Sequence, residues 1–269
     1  EYVKSKPHKK MIDYMDSFSL GLKRRMKDSN IFTKVLINFE YNRVREYESY
    51  IFDYFNIHTI ISEFDRMNIN HKHKQNIVII KNGVDTNYFK RKHKNINKNI
   101  ILFVGNMSYK PNILAARFIC KKVFPLVKQK FADCKVIIAG SSPNREVYNL
   151  SRIDNNIIVT GFLTDIREAY EKANIFIAPM FIGSGLQNKI LEAMSMKIPC
   201  ITTNIVNNSI NAKKNQIIIA CEERAFSDYC IEVFNNSEKA SELAENGCNF
   251  VKCNFDWEIL TERLNKLLI

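Results

Sequence analysis

The sequence predicts an α/β protein in which parallel sheets are covered by helices, with an incomplete domain in front of a complete one. Three observations predict it. From about residue 98 onward, short apolar runs alternate with stretches of helical periodicity. Four of those runs stop at Gly105, Gly140, Gly161 and Pro179, where a strand would hand over to a loop. Residues 85–98 are polar and rich in Lys and Asn, which suits a linker, and the stretch before them is too short for a complete doubly wound domain.

The elements follow in chain order. Residues 10–15 read as a strand, with Asp16 and Ser17 after it. Residues 33–56 read as one long helix rich in Tyr, Arg and Glu, and residues 59–62 and 77–80 as two more strands. Asn82-Gly83 is a turn signal. Beyond the linker, strands are expected at 100–104, 135–139, 156–160, 174–178, 199–202 and 216–220. Leu114, Phe118 and Val123 are spaced for one face of a helix. Further helices are expected near 165–172, 186–197, 222–234 and 237–250, and a last one from Asp256-Trp257 to the end. The domains are therefore 1–84, a linker at 85–98, 99–255 and a closing helix at 256–269. The chain opens at Glu1 rather than Met, so a fragment or a processed product is expected.

Composition narrows the function. The net charge is +12, and residues 1–94 hold 19 Lys/Arg against 11 Asp/Glu, so the excess lies mostly in front. Runs such as Lys23-Arg24-Arg25 and Lys90-Arg91-Lys92 suit a solvated face or an anionic membrane surface. Basic residues interleaved with aromatics are missing, so nucleic acid is not expected as a partner. Seven cysteines, an odd number with no Cys-x-x-Cys pair, point to reduced thiols in a cytosolic protein. No apolar run reaches the roughly 18 residues of a membrane span. The expected location is cytoplasmic, peripheral at the inner face of the membrane. His71 and His73 form no ligand set, and no Asp-x-Asp motif occurs, so no metal or other cofactor is required.

Two segments carry the chemistry. In residues 178–200 a strand ends at Pro179, a loop with Gly183 and Gly185 follows, and a helix starts near Leu186. A helix N-terminus offers unpaired N–H groups and about half a positive charge, and glycines let an anion approach them. Gly185, Lys189 and Glu192 are spaced four and three apart and share one side of that helix. Lys189 can meet a phosphate there, and the Glu192 carboxylate can accept both hydroxyl hydrogens of a ribose. An ordinary helix with a surface Lys–Glu pair has the same spacing. In residues 103–112 a second strand ends at Gly105, and Lys110 stands just before Pro111, in what suits a first helical turn. Lys110 can reach the same phosphates, or be a solvent-exposed loop lysine. In a third loop Phe162 can stack on a base or fill the core, and Asp165 can cap the helix that follows.

Together these segments resemble the retaining glycosyltransferases of family 4, of the two-domain GT-B type. The resemblance runs from about residue 80 to the end. It rests on Asn82-Gly-Val-Asp-Thr-Asn-Tyr-Phe89, Val104-Gly105 with Lys110, Thr160-Gly-Phe162 with Asp165, and Asn188-Lys-Ile-Leu-Glu-Ala-Met194 followed by Ile198-Pro199. The last motif, read from Gly185, looks like a subgroup associated with exopolysaccharide synthesis. The resemblance implies two Rossmann-like domains, the second binding a nucleoside-diphosphate-sugar donor. Carried over, Lys110 and the backbone of Gly185, Leu186 and Gln187 would bind the donor diphosphate, and Gly105, Asn106 and Lys189 complete the expected diphosphate site. Glu192 would bind the ribose, and Phe162 and Leu163 would lie near the base.

Two departures bear on that site. Ser184 stands where the family often has a Glu beside the transferred sugar, and Asn106 where many members have an Arg. Neutralisation of the diphosphate then rests more on Lys110 and helix dipoles. Asp16 is the candidate for a catalytic position in the front domain, with Asp13 and Ser17 as alternatives, and each also suits a turn or cap. The implied activity is transfer of a sugar, with retention, to a glycan or lipid-linked acceptor. A nucleotide-sugar epimerase of similar fold, or a non-catalytic donor-binding fragment, is the alternative.

Overall fold

The computed structural model describes residues 3–27, 29–92, 99–181 and 186–269. The chain divides into two compact units, one made of Glu1–Asn82 with Leu260–Ile269 and one of Gly83–Ile259.

The first unit holds a parallel sheet of three strands, β1 (Met11–Asp13), β2 (Ile57–Ile60) and β3 (Val78–Ile79), in the order β1-β2-β3. Met11 faces Ile57 and Thr59 faces Val78 in register. A small core of Phe52, Ile60, Ile69 and Ile77 lies against it. The long helix appears at Ile31–Phe52, opened by the Asn30 side chain, which accepts from the Thr33 amide. That is a normal N-cap, and it explains why the helix starts before residue 33. The basic run at residues 23–25 lies on a helix, Phe18–Lys27, beyond the elements expected from the sequence. Ile31, Phe32, Val35, Leu36 and Phe39 on the long helix are exposed, each by at least 66%. Of the closing helix, Trp257–Leu268, the part from Leu260 belongs to this first unit, and Lys9 Nζ donates to Leu268 O at 3.1 Å.

The second unit is built on six parallel strands: β4 (Ile100–Val104), β5 (Lys135–Ala139), β6 (Ile157–Gly161), β7 (Ile175–Ala178), β8 (Cys200–Thr202) and β9 (Ile218–Ile219). Every residue of β4 and β7 is buried, which is why both read as unbroken apolar runs. The order is β6-β5-β4-β7-β8-β9. The chain starts at β4, builds outward through β5 to β6, then returns to the other side of β4 for β7. That reversal is the topological switch point of a doubly wound sheet, and ligands of such sheets bind beyond the carboxyl ends of the strands that flank it. The start of the expected linker is seated on this unit. Val84 bridges Asp256, the Thr86 hydroxyl donates to the Asp256 carboxylate, and Arg91 donates to the carbonyls of Glu171 and Ala173 at 3.0 and 2.7 Å. Part of the Lys90–Lys92 basic run is therefore structural.

The carboxyl ends of β4 and β5 are packed backbone to backbone. Gly140 has φ +136°, and a Cβ there would lie 2.0 Å from Gly105 O. Only glycine fits both the angle and the space. Gly140→Ala is expected to destabilise this unit by at least about 3 kcal/mol, because conformational strain and a steric clash add. Urea unfolding followed by circular dichroism tests it, and a loss below about 1 kcal/mol would refute this account of the β4–β5 junction.

Candidate functional site

Strands β4 and β7 pair directly, with Ile101 opposite Ile175 and Leu102 opposite Phe176. Their carboxyl ends carry the two loops singled out in the sequence. After β4, Gly105 donates its amide to Ala139 O at 3.0 Å, and the loop turns into the helix Lys110–Phe118. Lys110 is its first residue and is exposed, and Pro111 occupies the first turn, where no N–H is needed. The Asn106 side chain folds into its own loop, accepting from the Ser108 amide at 2.9 Å and the Ser108 hydroxyl at 2.8 Å.

After β7 the helix Asn188–Ser195 begins, with Leu186 and Gln187 half-buried before it. Ser184 and Gly185, together with Gly183, lie outside the described residues. Ile190, Leu191, Ala193 and Met194 are buried, so the core takes one face and leaves Lys189 and Glu192 on another. The long helix Ser237–Phe255 packs against the first face, and Gly247 lets it come close to Met194.

Lys189 and Glu192 are not a surface ion pair. Lys189 Nζ donates to Asn112 Oδ1 at 2.6 Å and stands 4.7 Å from the centroid of the Phe103 ring. Burial pushes its pKa down to about 8, against the pull of the Glu192 charge. Glu192 Oε2 accepts from the Tyr170 hydroxyl at 2.8 Å, and the same hydroxyl reaches Lys189 O at 3.1 Å. Burial raises the pKa of Glu192, while Tyr170 and Lys189 oppose the shift. Tyr170 is wholly enclosed, edge-on to Phe89 at 6.1 Å and tilted against Phe176 at 5.9 Å. The result is a half-buried cation and a half-buried carboxylate, each held by a neutral partner, on the helix that starts at the switch point. Such an arrangement can meet a phosphate with one side chain and a diol with the other.

Phe162 does not fill the core: it is 75% exposed beyond β6, whereas Leu163 packs partly against the core. Asp165 does not cap a helix directly. It accepts from Arg167 Nε and from the Arg167 amide, each at 2.9 Å, one residue ahead of the Ile166 cap. Arg167 in turn lies 3.7 Å from the centroid of the Tyr88 ring.

In the first unit, Asp13 at the end of β1 and Asp16 and Ser17 beyond it have separate surroundings. Asp13 accepts from the Met15 amide at 3.2 Å and from Thr59 Oγ1 at 3.0 Å. Ser17 is buried, with its hydroxyl 3.1 Å from that of Ser19. Asp16 is exposed, and partial burial and the nearby Asp65 charge raise its pKa against the opposing charge of Arg24. Asp13 and Ser17 thus have structural work, and Asp16 keeps an exposed position.

Sequence reading assigned no role to Phe103, Asn112 or Tyr170. Asn112 had a faint signal, since Asn in a first helical turn commonly bonds nearby backbone. Tyr170 had none, because its partners lie 19 and 22 residues away.

The sequence profile of the family described as glycosyl transferases group 1 matches residues 98–236, just over half of the chain. The chain belongs to this family. A relative in Klebsiella pneumoniae, an uncharacterized 44.6 kDa protein in the cps region, is 28% identical over 166 residues, 58% of this chain and 42% of that protein. The capsular polysaccharide biosynthesis glycosyltransferase CapM of Staphylococcus aureus is 22% identical over 195 residues, 68% of this chain and 50% of CapM. The chain therefore spans half or less of the length of these relatives. Among solved structures, HepE of Anabaena in complex with UDP superposes with a TM-score of 0.70 at 12% identity, covering 96% of this chain and 71% of HepE. Staphylococcus aureus TarM, as a G117R mutant in complex with fondaparinux, alpha-GlcNAc-glycerol and UDP, superposes with a TM-score of 0.63 at 17% identity, covering 80% and 44%. The family and these neighbours establish the GT-B fold expected from the sequence.

Tyr170→Phe removes one hydroxyl from between Glu192 and Lys189. It is expected to cost about 1–3 kcal/mol of stability, the usual penalty for leaving a buried acceptor without its donor. Chemical denaturation measures it, and an unchanged midpoint would mean that the hydroxyl does not hold Glu192.

Proposed function

We propose that this chain carries the donor site of a retaining glycosyltransferase that takes a sugar from a nucleoside diphosphate and passes it to a glycan or lipid-linked acceptor in cell-surface polysaccharide synthesis. One observation carries the reading: the helix that opens with Lys110 follows β4, and the helix Asn188–Ser195, with Lys189 in its first turn and Glu192 one turn further along, follows β7, the strand paired with β4. Two cations and a helix N-terminus suit a diphosphate, and a carboxylate behind them suits a ribose. UDP in the HepE and TarM structures, and the capsular assignment of CapM, support the donor class and the pathway type. In this reading the protein positions the donor and stabilises the departing diphosphate without a metal. Phe162 is the exposed surface on which a base can stack, and Asp16 the candidate on the acceptor side.

Isothermal titration with UDP, GDP, ADP and CDP tests the donor site. Glu192→Ala is expected to weaken the nucleotide that binds by about ten- to a hundredfold, the worth of hydrogen bonds to a charged group. Lys110→Ala is expected to weaken the diphosphate but not the bare nucleoside. EDTA is expected to leave both affinities unchanged. Wild-type affinity in Glu192→Ala, or equal losses for nucleoside and diphosphate in Lys110→Ala, would contradict these roles. With a labelled donor, release of an epimerised donor instead of a glycosylated acceptor would favour the epimerase, and binding without turnover a donor-binding module. The anomeric proton coupling of the product reports retention.

We also place the enzyme at the inner face of an anionic membrane. The support is the basic excess of residues 1–94 and the exposed apolar stripe at Ile31, Phe32, Val35, Leu36 and Phe39. Among the described residues no helix is long and apolar enough to cross a membrane. Sedimentation with phosphatidylcholine vesicles should show binding only when phosphatidylglycerol is added, weakened by salt and by Phe32→Ser with Phe39→Ser. Equal binding with and without the anionic lipid rejects the idea.

A further inference from the structure

Asn112 is buried at 5% exposure, and both ends of its amide are used. Its Nδ2 donates to Asn106 O at 2.9 Å, across the loop that follows β4. Its Oδ1 accepts from Lys189 Nζ at 2.6 Å, on the helix that follows β7. Gly105 exists for this side chain: a Cβ there would lie 2.7 Å from Asn112 Nδ2 and 2.8 Å from its Cγ. One amide therefore ties the loop after β4 to the helix after β7, its bond to Lys189 spanning 77 residues of sequence. The Lys189 ammonium has three donors, of which Asn112 takes one, and the Phe103 ring at 4.7 Å attracts the cation as a whole.

We propose that Asn112 is a positioning residue of the donor site, which fixes the loop after β4 and holds the Lys189 ammonium aimed at the diphosphate. This rests on the donor-site reading above. A half-buried lysine without an acceptor either gives up its proton or swings toward water. Asn112 is neutral, so it orients Lys189 without cancelling the charge that an anion must meet. Preorganised charge of that kind needs no rearrangement when the ligand arrives. Burial has already brought Lys189 to about 8. An anion prefers the protonated form, so nucleotide affinity should fall as pH rises through that value.

The test is titration of the full chain with UDP between pH 6.5 and 9.5, with GDP, ADP and CDP alongside. In the wild type, affinity is expected to decline above about pH 8, and Lys189→Met should abolish the decline. Asn112→Ala should weaken UDP by about tenfold at neutral pH, the worth of one charge-assisted hydrogen bond, and start the decline at lower pH. Asn112→Asp keeps the acceptor and adds a charge, so the decline should move to higher pH even though the bond to Asn106 O is lost. A purely structural asparagine would change unfolding midpoints and leave the pH profile in place. Wild-type affinity and profile in a folded Asn112→Ala overturn the proposal. If that variant does not fold, an unmoved profile in Asn112→Asp or a retained decline in Lys189→Met overturns it instead. Failure of the wild type to bind any of the four nucleotides overturns the donor-site reading itself, and this inference with it.

Discussion

The pairing of β4 with β7 is the constraint on which the second unit depends. Both strands are buried along their whole length, so neither tolerates a polar side chain, and chemistry is pushed out to their carboxyl ends. Because the chain leaves β4 toward one side of the sheet and returns on the other, the carboxyl ends of β4 and β7 are neighbours, and the helices Lys110–Phe118 and Asn188–Ser195 follow them. Gly140 and Gly105 then let backbone and side chains close up around those ends, where any larger residue would collide.

Charge management follows from that geometry. Lys189 and Glu192 lie where burial disfavours ionisation of both, and the tertiary structure gives each a neutral partner, Asn112 and Tyr170. Direct pairing of the two would leave less charge for a ligand to find. Neutral partners satisfy hydrogen bonds and preserve the charges, which distinguishes a site from a structural ion pair. Arg167 and Asp165 are the contrasting case: they engage each other bidentately, and Arg167 stacks on Tyr88.

Much of the fold was legible. The six strands of the second unit were expected within one or two residues, because buried parallel strands are short apolar runs punctuated by Gly and Pro. Helices whose signals are weak were missed: Phe18–Lys27 has a stretch of basic residues, and Asn204–Ile210 is rich in Asn and β-branched residues. Lys110, Lys189 and Glu192 stood out in the sequence by spacing and motif. The reason for Gly105 was not, since the atom it makes room for belongs to Asn112 rather than to a ligand. Phe162 carried two readings in the sequence, a core residue or a surface for a base, and its 75% exposure outside the core overturns the first.

Sequence alone determined the class of fold, the strand–loop–helix junctions and the family, because these depend on periodicity and on residues within a few positions of one another. Tertiary structure alone decided which partner each charged group has. Asn112 meets Lys189 only because β4 and β7 lie side by side and bring their following helices together, and Tyr170, on the helix before β7, meets Glu192 on the helix after it. Hydrogen bonds act over about 3 Å, and no pattern along the chain reports which distant residues will come that close.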